Sequence, residues 1–499
     1  MRSRFRLAPA ASAAILLLAR PSTAQQTTTV PLSASTGPAL HYPATRTGDV
    51  ADVYHGTRVA DPYRWLEDLN AKETADWVAA QNALTRSYLD TLPLVARLRS
   101  RLTEVYNYAR VTSPDVQHGL MFFRRNSGLQ KQSVLYVRPR SGGASRVLLD
   151  PNLLTTDGSL ALQSATASPD GRYLAYGLSQ GGADWQTIYV RDVATGRDLA
   201  DTVRWFRFSG ISWTRDGKGF YYARYPEPPA GQALQAALKN HALYYHRLGT
   251  SQSDDRLIYE RKDLPTWFVS GGVSEDGRTL LVYLSKGSDN NNRLYAANLG
   301  DPMHPNVAAP VRPLIERDDA QYNALDAVGS TVYMQTDRGM PNRSIVAFDL
   351  RTPDRWRTIV PEGPQAIEDA FVAGGRIIVH SLADVTSRVR VFATNGRQER
   401  EITLPGIGTA RAFSGHTDQP EIYFAFTSPL SPFTVYRYDL RTGRREAFEP
   451  PAIKFDFAGY ETVRRFATSK DGTKVPYFVT ARRGLPLDGK NPTYLYGYG

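Results

Sequence analysis

The chain has 499 residues, no cysteine, 41% hydrophobic and 22% charged residues, and a formal net charge of +11. That length allows two or more domains with a sizeable core, and the lack of cysteine excludes disulfides, thiolate nucleophiles and thiolate metal sites. The basic residues are scattered with no long Lys/Arg run, so the charge reads as a solvated surface and not as a nucleic-acid footprint.

The chain opens on Arg2, Arg4 and Arg6, followed by an apolar stretch from Leu7 to Ala19 and the small residues Ser22-Thr23-Ala24. This is the pattern of an export signal over residues 1–24, cut after Ala24, which would place the protein in the periplasm or outside the cell. The apolar stretch is too short to span a bilayer. Without the four arginines of this segment the net charge is +7. Residues 25–41 are rich in Thr, Ser and Pro and read as a flexible leader. Asp61-Pro62-Tyr63-Arg64-Trp65-Leu66-Glu67-Asp68 predicts a turn entering a helix, with Trp65, Leu66 and Leu69 facing inward. Helical spacing continues over 71–91 and sets Trp77, Ala80, Leu84 and Tyr88 near one face. A further helix is predicted over 94–106, so residues 42–107 form a helical segment.

From about Tyr108 the pattern changes to short strands and turns. The 28 tyrosines, 39 glycines and 32 prolines of the chain suit such a fold better than a helical bundle. One theme recurs at Ser168-Pro169-Asp170-Gly171, Thr214-Arg215-Asp216-Gly217 and Ser274-Glu275-Asp276-Gly277, each followed by an apolar or aromatic strand. Asp-Gly tolerates the positive φ of tight hairpins. Alternating strands such as Ile188-Tyr189-Val190-Arg191 and Val435-Tyr436-Arg437-Tyr438 form a second theme. Repeated four-strand units over 108–456 point to a β-propeller. Seven blades would take about 50 residues each. Six larger ones fit nearly as well, and periodicity does not choose between them. Residues 457–499 start a new element. Two strands flank an Asp471-Gly472 turn, and Tyr494-Leu495-Tyr496-Gly497-Tyr498-Gly499 is predicted as a last strand.

Several motifs together resemble the prolyl oligopeptidase family. The Asp61–Asp68 segment with Trp77 and Gln81-Asn82 is similar to its amino-terminal signature. Ser469-Lys470-Asp471-Gly472-Thr473-Lys474-Val475-Pro476 resembles the start of its hydrolase domain, and Leu495-Tyr496-Gly497-Tyr498-Gly499 its oxyanion strand. Gly128–Val137, Asp184–Ile188, Tyr244–Thr250 and Phe426–Pro432 resemble its propeller segments. The resemblance implies a mainly β fold: a seven-bladed propeller inserted between an amino-terminal helical segment and the first strands of an α/β-hydrolase domain. It also implies a serine endopeptidase that cleaves short peptides after proline, with the propeller gating access. No metal or organic cofactor is implied, and the expected state is a monomer with no membrane span. The family's Ser, Asp and His would lie beyond residue 499, so this chain is expected to be incomplete at its carboxy-terminal end and inactive. Two alternatives remain: a non-enzymatic propeller that binds peptides or a partner, and the related basic-residue-specific oligopeptidase.

Among single residues, Tyr498 matches the family's oxyanion-stabilising tyrosine, and a donor so placed contributes on the order of 3 kcal/mol to a transition state. Phe208 aligns with a propeller phenylalanine that lines the peptide cavity, while Trp185 reads as blade packing. No Gly-x-Ser-x-Gly elbow occurs; Gly272-Val273-Ser274-Glu275-Asp276 comes nearest and lacks the second glycine. The eight histidines, His41, His55, His118, His241, His246, His304, His380 and His416, show no metal-ligand spacing and read as surface or turn residues.

Overall fold

The computed structural model describes residues 40–233, 236–287 and 289–497. The expected export signal and most of the expected leader lie outside the described residues. The chain divides into two compact units, Met1–Ser100 and Arg101–Gly499. Among the described residues no helix is long and apolar enough to cross a membrane.

In the first unit a hairpin, Ala51–Tyr54 with Thr57–Ala60, precedes helix α1, Lys72–Leu89. The helix forms because its run contains neither Gly nor Pro and is rich in Ala and Leu. Thr74 is buried on one face, with Trp77, Gln81, Leu84 and Tyr88 half-buried beside it at helical spacing. Two inward expectations fail: Leu69 and Ala80 are exposed. The inward stripe follows Thr74, Trp77, Gln81 and Leu84, and Ala80 falls one position off it. Helix α2, Pro93–Tyr106, starts on a proline, whose missing N–H costs nothing in a first turn. It carries Leu94, Leu98 and Leu102 exposed.

The second unit is a succession of antiparallel sheets. The first is five-stranded and covers 110–149. Four four-stranded sheets cover 267–315, 322–360, 367–402 and 409–448. Between them one eight-stranded sheet runs from Leu160–Ala167 to Arg256–Tyr259. The structure therefore shows five separate blade-sized sheets and one double-sized sheet, where seven separate blades were expected. The joining element is a single residue pair, Phe206 with Arg224, which links Asp198–Phe206 to Gly219–Arg224. On either side of it lie four strands.

The sheets hold together through apolar clusters, each formed between successive runs of strands. Phe122, Leu135 and Val137 of the first sheet meet Leu162, Leu174 and Tyr176 of the next. The last cluster closes the circuit: Val111, Met121 and Phe123 of the first sheet meet Tyr423, Ala425, Val435 and Phe448 of the last. Glu449 adds a polar tie there, accepting from Arg125 at 2.5 Å and Arg138 at 3.1 Å. Such closure is how a radial array protects its edges.

The three Asp-Gly motifs form the predicted turns. In the turn after Trp267–Val273, Asp276 accepts from Ser274 Oγ at 2.6 Å and from the Arg278 amide at 3.0 Å. Gly277 sits at φ +75°, and a Cβ there would stand 2.6 Å from Arg215 Cβ, so only glycine fits.

After the last sheet, Tyr460–Thr468 pairs with Lys474–Arg482 as predicted. Of the expected strand at 494–499, the described residues 494–497 form no strand. Residues 494–497 pair with nothing, and Leu495 is 93% exposed. A strand needs a neighbour to satisfy its backbone, and none of the described strands offers one. An α/β-hydrolase domain is not seen among the described residues; Tyr460–Thr468 and Lys474–Arg482 form a two-stranded sheet of their own.

Candidate functional site

Strands at the start of five of the seven runs lead toward a common region. Residues at the trailing ends of Asp115–Gln117, Leu160–Ala167, Ser212–Trp213, Trp267–Val273 and Thr409–Gly415 line one cavity of about 450 Å³. Strands from five separate runs can share a cavity only if they converge on an axis, so the first strands surround a channel. Phe208 and Phe268 lie near the leading ends of two of these strands, and Glu275 and His416 just past trailing ends. The two groups mark opposite ends of the channel.

At the leading end, Phe208 is 46% exposed, and its ring lies 5.4 Å from that of Phe268. The Arg207 guanidinium covers Phe208 at 4.5 Å and Trp185 at 5.0 Å, while Asp184 holds it at 2.5 Å. Trp205 and Phe208 have φ of +63° and +52°, a conformation that costs about 1–3 kcal/mol each and persists only when the surroundings enforce it. His241 supplies part of that enforcement. The Val269 amide donates to its Nδ1 at 3.1 Å, so Nε2 carries the proton and donates to the Arg207 carbonyl at 3.1 Å. Burial pushes this imidazole down to about 4, and it stays neutral at ordinary pH. Tyr225 stacks on it at 4.4 Å. Trp185 meets Trp205 and Tyr225 edge-on and donates to the Ala233 carbonyl at 2.7 Å. The result is a rigid aromatic surface with one cation laid over it, suited to apolar rings and backbone carbonyls.

At the trailing end the lining is polar. His416 donates from Nδ1 to Glu275 at 2.9 Å and from Nε2 to Asp115 at 2.9 Å. Burial opposes a charge on this ring, but the bonds to Asp115 and Glu275 outweigh it and push the pKa up to about 10. Both ring nitrogens are occupied, so His416 has none free to take a proton from a hydroxyl. Ser274, the nearest approach to a nucleophile elbow, is buried in its turn, with Oγ donating to Asp276 and accepting from the Thr279 amide at 3.0 Å.

Tyr498 lies outside the described residues. The histidines divide in a way the sequence reading missed. His41, His55, His118 and His304 are exposed, but His241, His246 and His380 are buried and His416 is engaged by two carboxylates. The partners of His416 lie 141 and 301 residues away along the chain, and local spacing does not see them. Around Phe208 the dense run Trp205-Phe206-Arg207-Phe208 was a usable signal; Phe268 and His241 were not legible.

The closed succession of sheets about a channel defines a β-propeller. The family model described as "Prolyl oligopeptidase, N-terminal beta-propeller domain" matches residues 42–451, and the chain belongs to the prolyl oligopeptidase family. The chain is 35% identical over 470 residues to the prolyl endopeptidase of Elizabethkingia meningoseptica, covering 94% of this chain and 65% of that protein's length. It is similar to prolyl oligopeptidase B from Galerina marginata, solved with a 25mer macrocyclization substrate, with a TM-score of 0.80 and 30% identity, over 90% of this chain and 66% of the other. Oligopeptidase B from Leishmania major shares the fold, with a TM-score of 0.76 at 17% identity over 90% and 66% of the two chains.

Proposed function

We propose that this chain supplies the peptide-admitting propeller of a serine endopeptidase that cuts short peptides after proline. The observation that carries this reading is the aromatic surface around Phe208 at one end of the channel, in a chain whose family is established. Aromatic faces take the compact, apolar proline ring, and the Arg207 guanidinium can meet a peptide carbonyl. The propeller gates access by enclosing the route to the hydrolytic centre. Tyr498 serves that centre as the oxyanion donor, and residues 1–24 direct export. The 499-residue chain alone gives no turnover: the described serine that meets an imidazole, Ser387 at 2.8 Å from His380 Nε2, is buried with it, and no carboxylate among the described residues completes a triad there. The basic-residue-specific alternative has less support, since identity to oligopeptidase B is 17% against 35% for the prolyl endopeptidase.

The test uses the purified full chain. A prolyl reporter peptide should not be cleaved above background, while a short proline-containing peptide should bind, with Kd rising about tenfold in F208A, equivalent to about 1.4 kcal/mol. Turnover by the chain would refute the inactivity. Equal affinity of F208A would remove Phe208 from the peptide surface.

A further inference from the structure

The trailing end of the channel is bridged by side chains from sheets that are not neighbours. Glu275 follows Trp267–Val273, and His416 follows Thr409–Gly415. The sheets over 322–360 and 367–402 come between them, and the apolar clusters join only successive runs of strands. Yet Glu275 reaches the loop at His416 with both oxygens. Oε1 accepts from His416 Nδ1 at 2.9 Å, and Oε2 accepts from the Thr417 amide at 2.6 Å and hydroxyl at 2.8 Å. His416 passes the connection on to Asp115 of the first sheet at 2.9 Å. The Glu275 amide donates to Asp326 Oδ1, on the sheet over 322–360, at 3.2 Å. Four sheets are thus tied at one point inside the cavity that the first strands line.

Charge-assisted bonds of this kind are short and directional, and side chains that are partly withdrawn from water are weakly screened. A strut across a ring has a consequence that a bond within a blade lacks: it occupies the opening itself. The geometry points to a latch, made by Glu275, His416 and Asp115, that closes the trailing mouth of the channel and holds opposite parts of the ring in register. Peptides therefore pass by the Phe208 end, and the trailing mouth opens only when the Glu275 bridge is broken. This latch is independent of whether the protein cuts after proline.

The chain has no cysteine, so one introduced thiol reports alone. Thr166, half-buried on Leu160–Ala167, lines the same cavity. The full-length T166C protein is treated with a soluble maleimide, with and without E275A. Hydrogen exchange over Arg376–Ala383, remote from the latch, checks the fold. Labelling should accelerate at least tenfold in T166C/E275A with exchange in that strand unchanged. Equal labelling rates would overturn the latch. If E275A does not fold, E275Q keeps the volume and removes the charge. An acceleration of threefold or more then supports the latch, and a smaller one overturns it.

Discussion

His246 offers the sharpest test of how the propeller is held together. Its Nδ1 lies 2.6 Å from Asp255 and its Nε2 3.1 Å from Asp201, and all three side chains are fully buried. Two carboxylates facing two ring nitrogens require both nitrogens to donate, so the ring is an imidazolium. Burial works against that charge, but the bonds to Asp255 and Asp201 prevail and the pKa is raised. The carboxylates are themselves supported: Tyr222 donates to Asp255 at 2.5 Å and the Gly249 amide to Asp201 at 2.6 Å. Replacing His246 with Gln leaves two buried carboxylates without their cation. Removing one partner of a buried ion pair costs about 3–5 kcal/mol, on the order of 5 °C in Tm for a domain of this size. The pH dependence has a definite sign. A histidine whose folded pKa is raised contributes stability that is fully present below its unfolded value near 6.5 and is lost as pH rises through the folded value. Urea midpoints of wild type and H246Q across pH 5.5–9.5 should differ most at the acidic end and converge on the basic side. Midpoints that agree throughout, or a gap that widens with pH, would refute the reasoning.

Two further outcomes follow from single positions. Gly277→Ala forces a Cβ into φ +75° and to 2.6 Å from Arg215 Cβ and 2.8 Å from Pro302 Cβ; a thermal melt should show a loss of about 1–3 kcal/mol, and an unchanged Tm would mean the turn relaxes freely. Asp326 is buried with Oδ2 unpartnered, and burial pushes its pKa up to about 7. A carboxyl raised on folding contributes stability below its unfolded value that fades as pH climbs towards about 7, so D326N, permanently neutral, should gain on wild type between pH 4 and pH 8 in urea titrations; a gain that shrinks over that range would contradict the assignment.

The parts of the fold that were legible in the sequence are those whose causes are local. Helix α1 follows from a Gly- and Pro-free run with apolar spacing, and the turn at Ser274–Gly277 from side chains bonded within four residues. The carboxy-terminal hairpin follows from Asp471-Gly472 between two alternating strands. The failures share a different origin. Whether two runs of four strands form one sheet or two depends on one pairing, Phe206 with Arg224, and no composition rule contains it. The segment 494–497 has the residues of a strand, but β-propensity expresses fit to a neighbour, and no described strand is paired with it. Phe208 was nameable by resemblance and by its dense aromatic run; what makes it a surface is His241, from a later turn of the same run, and Phe268, from the next sheet.

The histidines carry the same lesson into chemistry. Reading His416 from Ser414-Gly415-His416 gives a turn residue, whereas the ring closes a bridge to Glu275 and Asp115 across the channel. Reading His246 by spacing gives a surface or turn residue, whereas its two nitrogens balance two buried charges. In a propeller each run of strands is local but the axis is not, because residues far apart in sequence meet wherever first strands converge. Sites that depend on that convergence, the aromatic surface at one end and the charged bridge at the other, therefore become visible only when the circuit closes through Phe123, Phe448 and Glu449.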